Sequence, residues 1–480
     1  MFHPNSVAVV GASSNKLRPG YEIIKNLIKG GFAGSIFPVN PNAPEILGLK
    51  AYRSVNEITN KIDLAIIAVP AANVSPTIDE CVKKKIQAIV IISAGFGEIG
   101  DIGTTAEKEF SERAAKYGIR IVGPNSAGIV ASSSNLYATI EGIPPKGPVA
   151  FLSQSGAFGG AIFGWAQDLC LGFSKFVSLG NMCDVNFNDL LAYLAEDEDT
   201  KVVVMYVEGI KEGRRFISVA RRVSAHKPIV AYKVGRTEAG RKAAISHTGA
   251  MTTSDRIYDA AFRQAGVIRA YDVEELLEYA CVLTSQPLPK GGRVGILTDA
   301  GGPGVAAADA CNVLGLEVPE ISSPTQTELR RFLPSFASTR NPVDMTFTPD
   351  PQTYQTCIDL LLREAVIDGL IVTITSHVEV QEELANTIVR SSSKHEKPLL
   401  VSWTSGKMVD FAREILRRNG TPVYPTPDRA ARAMACQVKY SNLLRGGVSL
   451  SSRVGDTNAT DSDSFYSRSR ISQSNYNNRT

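Results

Sequence analysis

His247 stands in the run Ser246-His247-Thr248-Gly249, and the chain carries two copies of one glycine-rich turn: Ser153-Gln154-Ser155-Gly156 and Thr298-Asp299-Ala300-Gly301-Gly302-Pro303-Gly304. An imidazole is a nucleophile whose second nitrogen can be fixed by an acceptor, so it suits the relay of a phosphoryl group. Each turn follows an apolar run and opens a segment that reads as a helix. Such a turn leaves several backbone N–H groups pointing out of the helix start, where the helix dipole favours an anion. The two copies align without a gap and both run on to a Leu-Gly pair, Leu171-Gly172 and Leu314-Gly315. Both continue through an Asn and an Asp, Asn181 to Asp184 and Asn341 to Asp344, before a second apolar strand. A duplicated unit of this kind can aim two helix starts at one phosphate from opposite sides; the plainer reading is that each turn only joins a strand to a helix.

A relay histidine wants a carboxylate to orient it. Glu208 is the best placed acid, because it ends the apolar strand 202–207, is followed by Gly209, and strand ends are where sites assemble in open α/β sheets. Its alternative is a solvated strand-end acid. The segment 233–249, with three glycines and little apolar periodicity, reads as a long loop, and loops of that size inside a domain are usually functional. His3, His226, His377 and His395 read as structural or solvent-facing. Acyl transfer through a serine lacks support, since Ser153-Gln154-Ser155-Gly156 has no leading glycine of a nucleophile elbow.

The elements that must position these residues alternate. From 6 to 130, β-branched runs at 7–10, 35–39, 65–69, 88–92 and 119–122 are separated by helical stretches, the pattern of a parallel sheet covered on both faces. Its first turn, Gly11-Ala12-Ser13-Ser14-Asn15-Lys16-Leu17-Arg18, falls where a Rossmann-like fold holds phosphate, but it lacks Gly-x-Gly-x-x-Gly. The second strand ends in Asn40-Pro41 where a dinucleotide fold places an acid, which argues against NAD. Ser13, Ser14, Lys16 and Arg18 suit a ligand with extra phosphate; equally they suit a loop of solvated basic residues. Pro144-Pro145-Lys146-Gly147 and the run from Pro287 to Gly292 read as linkers. The expected organisation is three α/β domains at 1–143, 144–289 and 290–446, then a Ser-, Asn- and Asp-rich tail, 447–480, expected to be disordered.

The 480 residues are 44% hydrophobic and 21% charged, ordinary for about three globular domains. A net charge of +3 with no Lys/Arg block excludes a nucleic-acid footprint. Seven scattered cysteines, never in a Cys-x-x-Cys pair, point to reduced thiols rather than a disulfide framework or a zinc site, and no metal ligand set is expected. No secretory leader precedes the first strand and no apolar run could span a membrane, so a cytoplasmic protein is expected.

With these motifs in hand the chain resembles the ADP-forming acyl-CoA synthetases, relatives of succinyl-CoA synthetase. The resemblance covers nearly everything before the tail. It is carried by Gly11-Ala12-Ser13-Ser14, Val122-Gly123-Pro124-Asn125, Leu152 to Gly156, Lys233-x-Gly235-Arg236, Ser246 to Gly249, Gly301 to Gly304, and Asn341-Pro342-Val343-Asp344. It implies a Rossmann-like CoA-binding domain followed by two flavodoxin-like domains of the succinyl-CoA synthetase type. It also implies the reversible reaction of acyl-CoA, phosphate and ADP to free acid, CoA and ATP, by way of acyl phosphate and phosphohistidine, with acetate the usual acid. His247 matches the phosphorylated histidine and Glu208 the acid that orients it; Ser153, Gln154, Ser155 and Gly156, with Gly301, Gly302 and Gly304, match the phosphate-holding helix starts. Gly11, Ser13, Ser14, Asn40, Pro70, Ser93, Gly95 and Asn125 fall where the family cradles CoA, and Lys16 where its phosphates lie. Asp299 departs from the Asn expected at that turn, and an acid there repels phosphate unless it points away. No ATP-grasp module is visible, so the resemblance implies an α subunit working with an ATP-grasp β subunit that binds ADP or ATP and magnesium, as an α2β2 heterotetramer. Two other readings are a CoA-binding regulatory scaffold of the same fold without catalysis, and a regulated protein acyltransferase, for whose acetyltransferase domain the chain shows no room.

Overall fold

Three mainly parallel sheets organise the computed structural model, which describes residues 1–242, 254–347, 350–375 and 377–446. The chain opens with β1 (Ser6–Val10) and β2 (Ser35–Val39), passes a short antiparallel hairpin of β3 (Glu45–Ile46) and β4 (Leu49–Lys50), and adds β5 (Leu64–Ile67), β6 (Ala88–Ile91) and β7 (Arg120–Val122). β1, β5 and β6 are buried along their whole length. That is why their sequences are continuous apolar runs rather than alternating ones. The sheet order β2-β1-β5-β6-β7 is the doubly wound arrangement whose ligands sit outside the strand C-termini, at the switch between β1 and β5.

The second sheet collects β8 (Gly128–Ala131), β9 (Leu136–Thr139), β10 (Lys146–Ser153), β11 (Phe173–Ser178), β12 (Val202–Val207), β13 (Ile229–Lys233) and β14 (Ile268–Ala270), in the order β14-β13-β12-β10-β11-β8-β9. The third collects β15 (Val294–Thr298), β16 (Val343–Asp344), β17 (Gly369–Ile374), β18 (Leu399–Trp403) and β19 (Val423–Tyr424), in the order β16-β15-β17-β18-β19. β11-β10-β12-β13-β14 and β16-β15-β17-β18-β19 are therefore the same topology, and the duplicated turns follow the same strand of each, β10 and β15. The copies differ at one edge. Where the first has the six-residue β11, the second pairs Glu317 with Arg293 and then Val343–Asp344 with Leu297 and Thr298. The helix Ser323–Leu329 lies between those two pairings.

Two sequence expectations need correction. β8 and β9 precede Pro144-Pro145 yet hydrogen-bond in the second sheet, with β8 antiparallel to β11; the chain enters that sheet before the proline pair. Their short runs lack the helix on either side that marked the other strands. The segment 233–249, read as loop throughout, is helical at 238–242, where the Arg241 N–H donates to the Thr237 carbonyl at 2.8 Å. Gly235 just before it and Gly240 within it masked that helix start. The expectations for the remainder of that loop and for the tail lie outside the described residues.

The first two sheets share one core. Val7, Val9, Ile23, Ile24 and Leu27 pack in a cluster with Ile129, Leu136, Ala138, Leu152 and Val203. The buried Asn26 pins the helix Pro19–Lys29 to this junction through carbonyls of Thr139 and Glu141 at 2.9 and 2.7 Å. The last helix, Pro427–Gly446, ties the third sheet to the second. Ala430 and Met434 join the core of one, while Cys436 and Tyr440 join that of the other. Gln437 and Ser441 hydrogen-bond the carbonyls of Pro287 and Pro289, fixing the linker between them. Among the described residues no helix is long and apolar enough to cross a membrane, and all seven cysteines are free thiols, four of them buried.

Candidate functional site

In the first sheet the loops after β1, β2, β5 and β6 meet at the C-terminal edge. Gly11 has φ +88°, and a Cβ there would lie 2.2 Å from the Ala68 carbonyl oxygen; one on Gly20 would lie 2.1 Å from the Gly11 carbonyl oxygen. The turn is thus folded tightly against both its neighbouring strand and the helix it opens. Asn40 braces it, donating to the Ala12 carbonyl at 2.7 Å, so this residue shapes the turn from the position where a dinucleotide fold carries an acid. The Ser13 hydroxyl accepts from the Asn15 N–H at 3.0 Å. The helix Pro19–Lys29 has no side-chain cap at its start, and Ser14, Lys16 and Arg18 beside it are exposed. Uncapped N–H groups flanked by two cations fit the phosphates of a nucleotide-like ligand.

Ser93 donates from its hydroxyl to the Val69 carbonyl, beside exposed Pro70, and its own carbonyl accepts from the Asn125 N–H at 2.9 Å. Gly95 has φ +102° and donates to Glu98 at 2.6 Å; Asn125 has φ +58°. The structure therefore gathers Gly11, Ser13, Ser14, Lys16, Asn40, Pro70, Ser93, Gly95 and Asn125 along one sheet edge. It adds Asn181 from the second sheet, which donates to Glu98 and Glu107 at 2.6 Å each and holds the Gly95 loop.

The two glycine-rich turns are built alike down to single bonds. The Ser153 hydroxyl donates to the Ser155 carbonyl at 2.7 Å, and the Thr298 hydroxyl donates to the Ala300 carbonyl at 2.7 Å. Each following residue reaches across to the loop after the neighbouring strand. Gln154 Oε1 accepts from the N–H groups of Glu208 and Gly209 at 2.6 and 2.8 Å, so it places Glu208 at the end of β12. Asp299 accepts from the Thr375 N–H at 3.0 Å and from its hydroxyl at 3.1 Å, and His377 Nε2 lies 3.0 Å from the same carboxyl group. Asp299 and His377 are 1% and 3% exposed. The acid points into the third unit and away from the helix start, so it presents no charge to an anion there.

The helix starts themselves differ. Ser155 caps the helix Gly156–Asp168 by accepting from the Phe158 N–H at 3.4 Å, whereas Ala300 gives the helix Gly301–Val313 no side-chain cap. The second start is left without a cap, and the Asp344 carboxylate lies 3.5 Å from where a Cβ on Gly301 would stand. Gly301 and Gly302 are exposed, and Gly304 is buried because a Cβ there would lie 2.8 Å from the Thr298 methyl. Among the described residues no hydrogen bond or ion pair joins one turn to the other.

His247 lies outside the described residues, but both flanks of its segment meet at Glu208. On the near flank Lys233 ends β13 directly beside Val207. It is 2% exposed, donates to the Val234 carbonyl, and holds its Nζ 4.5 Å from the centre of the Tyr258 ring. Burial pushes its pKa down to about 8, with Asp255 and Glu208 pulling the other way and Arg269 adding to the fall. On the far flank Tyr258, in the helix Asp255–Ala265, accepts from the Ile210 N–H at 3.4 Å. Sequence reasoning gave Gln154 only a phosphate contact, and gave Lys233 and Tyr258 no role. The lysine's place at the head of Lys233-x-Gly235-Arg236 was the one signal available.

Family models match the chain in three stretches: a CoA binding domain at residues 5–132, a succinyl-CoA ligase like flavodoxin domain at 146–283, and a Ligase-CoA domain at 294–443. The chain is 44% identical to the α subunit of acetate–CoA ligase (ADP-forming) II of Pyrococcus furiosus, over 93% of this chain and 98% of that one. It is 43% identical to acetate–CoA ligase (ADP-forming) of Methanocaldococcus jannaschii, where 92% of this chain matches 62% of a longer protein. Among solved structures, the dinucleotide-forming acetyl-coenzyme A synthetase 1 of Candidatus Korarchaeum cryptofilum, in complex with phosphate and ADP, superposes with a TM-score of 0.88. That match has 36% identity over 94% of this chain and 98% of that one.

Proposed function

Because the chain belongs to the ADP-forming acyl-CoA synthetase family, we propose that it is the α subunit of such an enzyme, with acetate as the acid and His247 as the phosphoryl carrier. The observation that carries this reading is the pair of matched turns, one with its glutamine locked onto the Glu208 loop and the other with an uncapped helix start.

In this reading phosphate attacks the thioester carbonyl of the acyl-CoA, the C–S bond breaks and CoA leaves as thiolate, giving acyl phosphate. A nitrogen of His247 then attacks phosphorus and the carboxylate leaves. ADP finally takes the phosphoryl group from the imidazole. The chain's own contribution is placement and charge. The first-sheet edge holds the CoA phosphates at the Gly11–Arg18 turn, with Lys16 beside them, and the N–H groups of Gly301, Gly302 and the Ser153–Gly156 turn hold the migrating phosphate. Pre-aimed donors of this kind need no reorganisation as charge moves, which is where most of their catalytic value lies. Glu208 accepts from the imidazole and fixes which nitrogen attacks.

A partner subunit completes the reaction. Its ATP-grasp identity, its hold on ADP and magnesium, and an α2β2 assembly belong to the proposal; the longer Methanocaldococcus relative, of which this chain spans 62%, carries further sequence in one chain and so supports the need for a partner. With that partner, His247→Ala is expected to abolish ATP formation from acetyl-CoA, phosphate and ADP while CoA binding stays unchanged. Turnover retained in the variant contradicts the proposal and leaves a CoA-binding scaffold as the reading.

A further inference from the structure

We propose that Lys233 is a positioning residue for Glu208: its buried ammonium, seated on the Tyr258 ring beside the end of β12, holds the Glu208 loop in place and its carboxylate in the charged form. The inference rests on the functional reading above and adds to it a residue and a pH dependence.

The geometry comes from three elements. β13 delivers Lys233 next to Val207, one residue before Glu208. The helix Asp255–Ala265 supplies the ring 4.5 Å from Nζ, and the same tyrosine's hydroxyl accepts from Ile210, two residues past Glu208. Gln154 grips the intervening N–H groups from the other side. The Glu208–Ile210 loop is thus fixed by a side-chain amide and a tyrosine, and Lys233 lies against the tyrosine.

A buried ammonium needs compensation. The charged and titratable groups facing it are Glu208 after β12, Asp255 and Tyr258 on the helix, and Arg269 on β14. Both oxygens of Asp255 are occupied by Arg269, at 2.6 and 2.8 Å, and Asp259 is bound by the same guanidinium. Asp255 exerts the larger pull on the ammonium, and Glu208, at the end of the strand alongside, the smaller. Each charge therefore favours the other's ionised form. A carboxylate that must accept from an imidazole works only when ionised, so losing the ammonium costs the relay its orienting group.

The test measures the initial rate at which the purified chain gains acid-labile phosphate from acetyl-CoA and inorganic phosphate, across the pH range that brackets 8. Wild type is expected to slow as pH rises through that value. Lys233→Met is expected to be slower by about tenfold at neutral pH, with no inflection near 8. Lys233→Arg, which keeps its charge, should retain the neutral rate and move the decline to higher pH; it serves also if the methionine variant fails to fold. In a Glu208→Gln background, Lys233→Met should add nothing. A wild-type rate in Lys233→Met, a slow variant that still shows the wild-type inflection, an arginine variant with an unmoved decline, or fully additive losses each overturn the proposal. A His247→Ala control separates the levels: phosphate gained by that variant defeats the functional reading, whereas a silent control beside a normal Lys233→Met defeats only the role of the lysine.

Discussion

Gln154 and Asp299 occupy the same position in two copies of one turn, and their surroundings decide what each side chain does. Gln154 leaves the Glu208 and Gly209 N–H groups satisfied; Gln154→Ala removes the acceptor of both half-buried donors, at about 1 kcal/mol each. The expected outcome is a loss of phosphoryl transfer that exceeds any loss in CoA affinity, read by kinetics and calorimetry. Asp299 is buried against His377, so His377→Ala takes one polar neighbour from a buried acid that keeps its Thr375 bonds and should destabilise the chain by about 1–3 kcal/mol, seen as a lower melting temperature. Lys233 has the opposite sign. Its pKa falls from 10.5 to about 8 on folding, so below pH 8 both states are protonated and the buried charge costs about 3 kcal/mol. Between 8 and 10.5 the unfolded chain holds a proton that the folded one lacks, and this group's contribution to stability rises with pH. Removing the charge offsets that cost against about 2 kcal/mol of lost cation–π contact, so Lys233→Met should melt no lower than wild type at neutral pH while losing activity. The sequence showed which residues could do chemistry, because a histidine between small residues and glycines before a helix are local signals. It hid Gln154's grip on Glu208 and Asp299's inward turn, since both depend on partners 54 and 76 residues away.

At the scale of elements, parallel strands were legible because burial on both faces forces continuous β-branched runs, and β1, β2, β12 and β17 lie where those runs fall. β8, β9, β16 and β19 were not, because β8 and β9 follow one another with no α-helix between them and β16 and β19 are two residues long; they are held by the neighbour they pair with. The turn after β1 shows how little freedom these junctions have. With φ +88° and a Cβ position 2.2 Å from a backbone oxygen, Gly11→Ala must move β1 or β5. The expected result is a weakened CoA affinity with phosphoryl transfer from acetyl phosphate to His247 left intact, measured by calorimetry and by phosphate incorporation. Equal loss of both would show that the turn supports the fold rather than the CoA site.

Across the whole molecule, the three sheets are not independent beads. Asn26 joins the first to the second, and Gln437 and Ser441 on the last helix fix the linker between the second and third. The two glycine-rich turns therefore sit on a frame that carries their spacing, while composition and linkers alone suggested three α/β domains. The duplication was readable from the turns themselves, and the shared strand order extends it to whole sheets; the shared cores were not readable, because contact between units leaves no periodic trace. The central claim is that this chain alone accepts phosphate and that a partner is needed only to pass it on. The direct measurement is intact mass and acid lability of the purified chain after incubation with acetyl-CoA and inorganic phosphate, beside His247→Ala. The account predicts one acid-labile phosphate on the wild type and none on the variant; equal phosphate on both, or none on the wild type in the absence of the partner subunit, would contradict it.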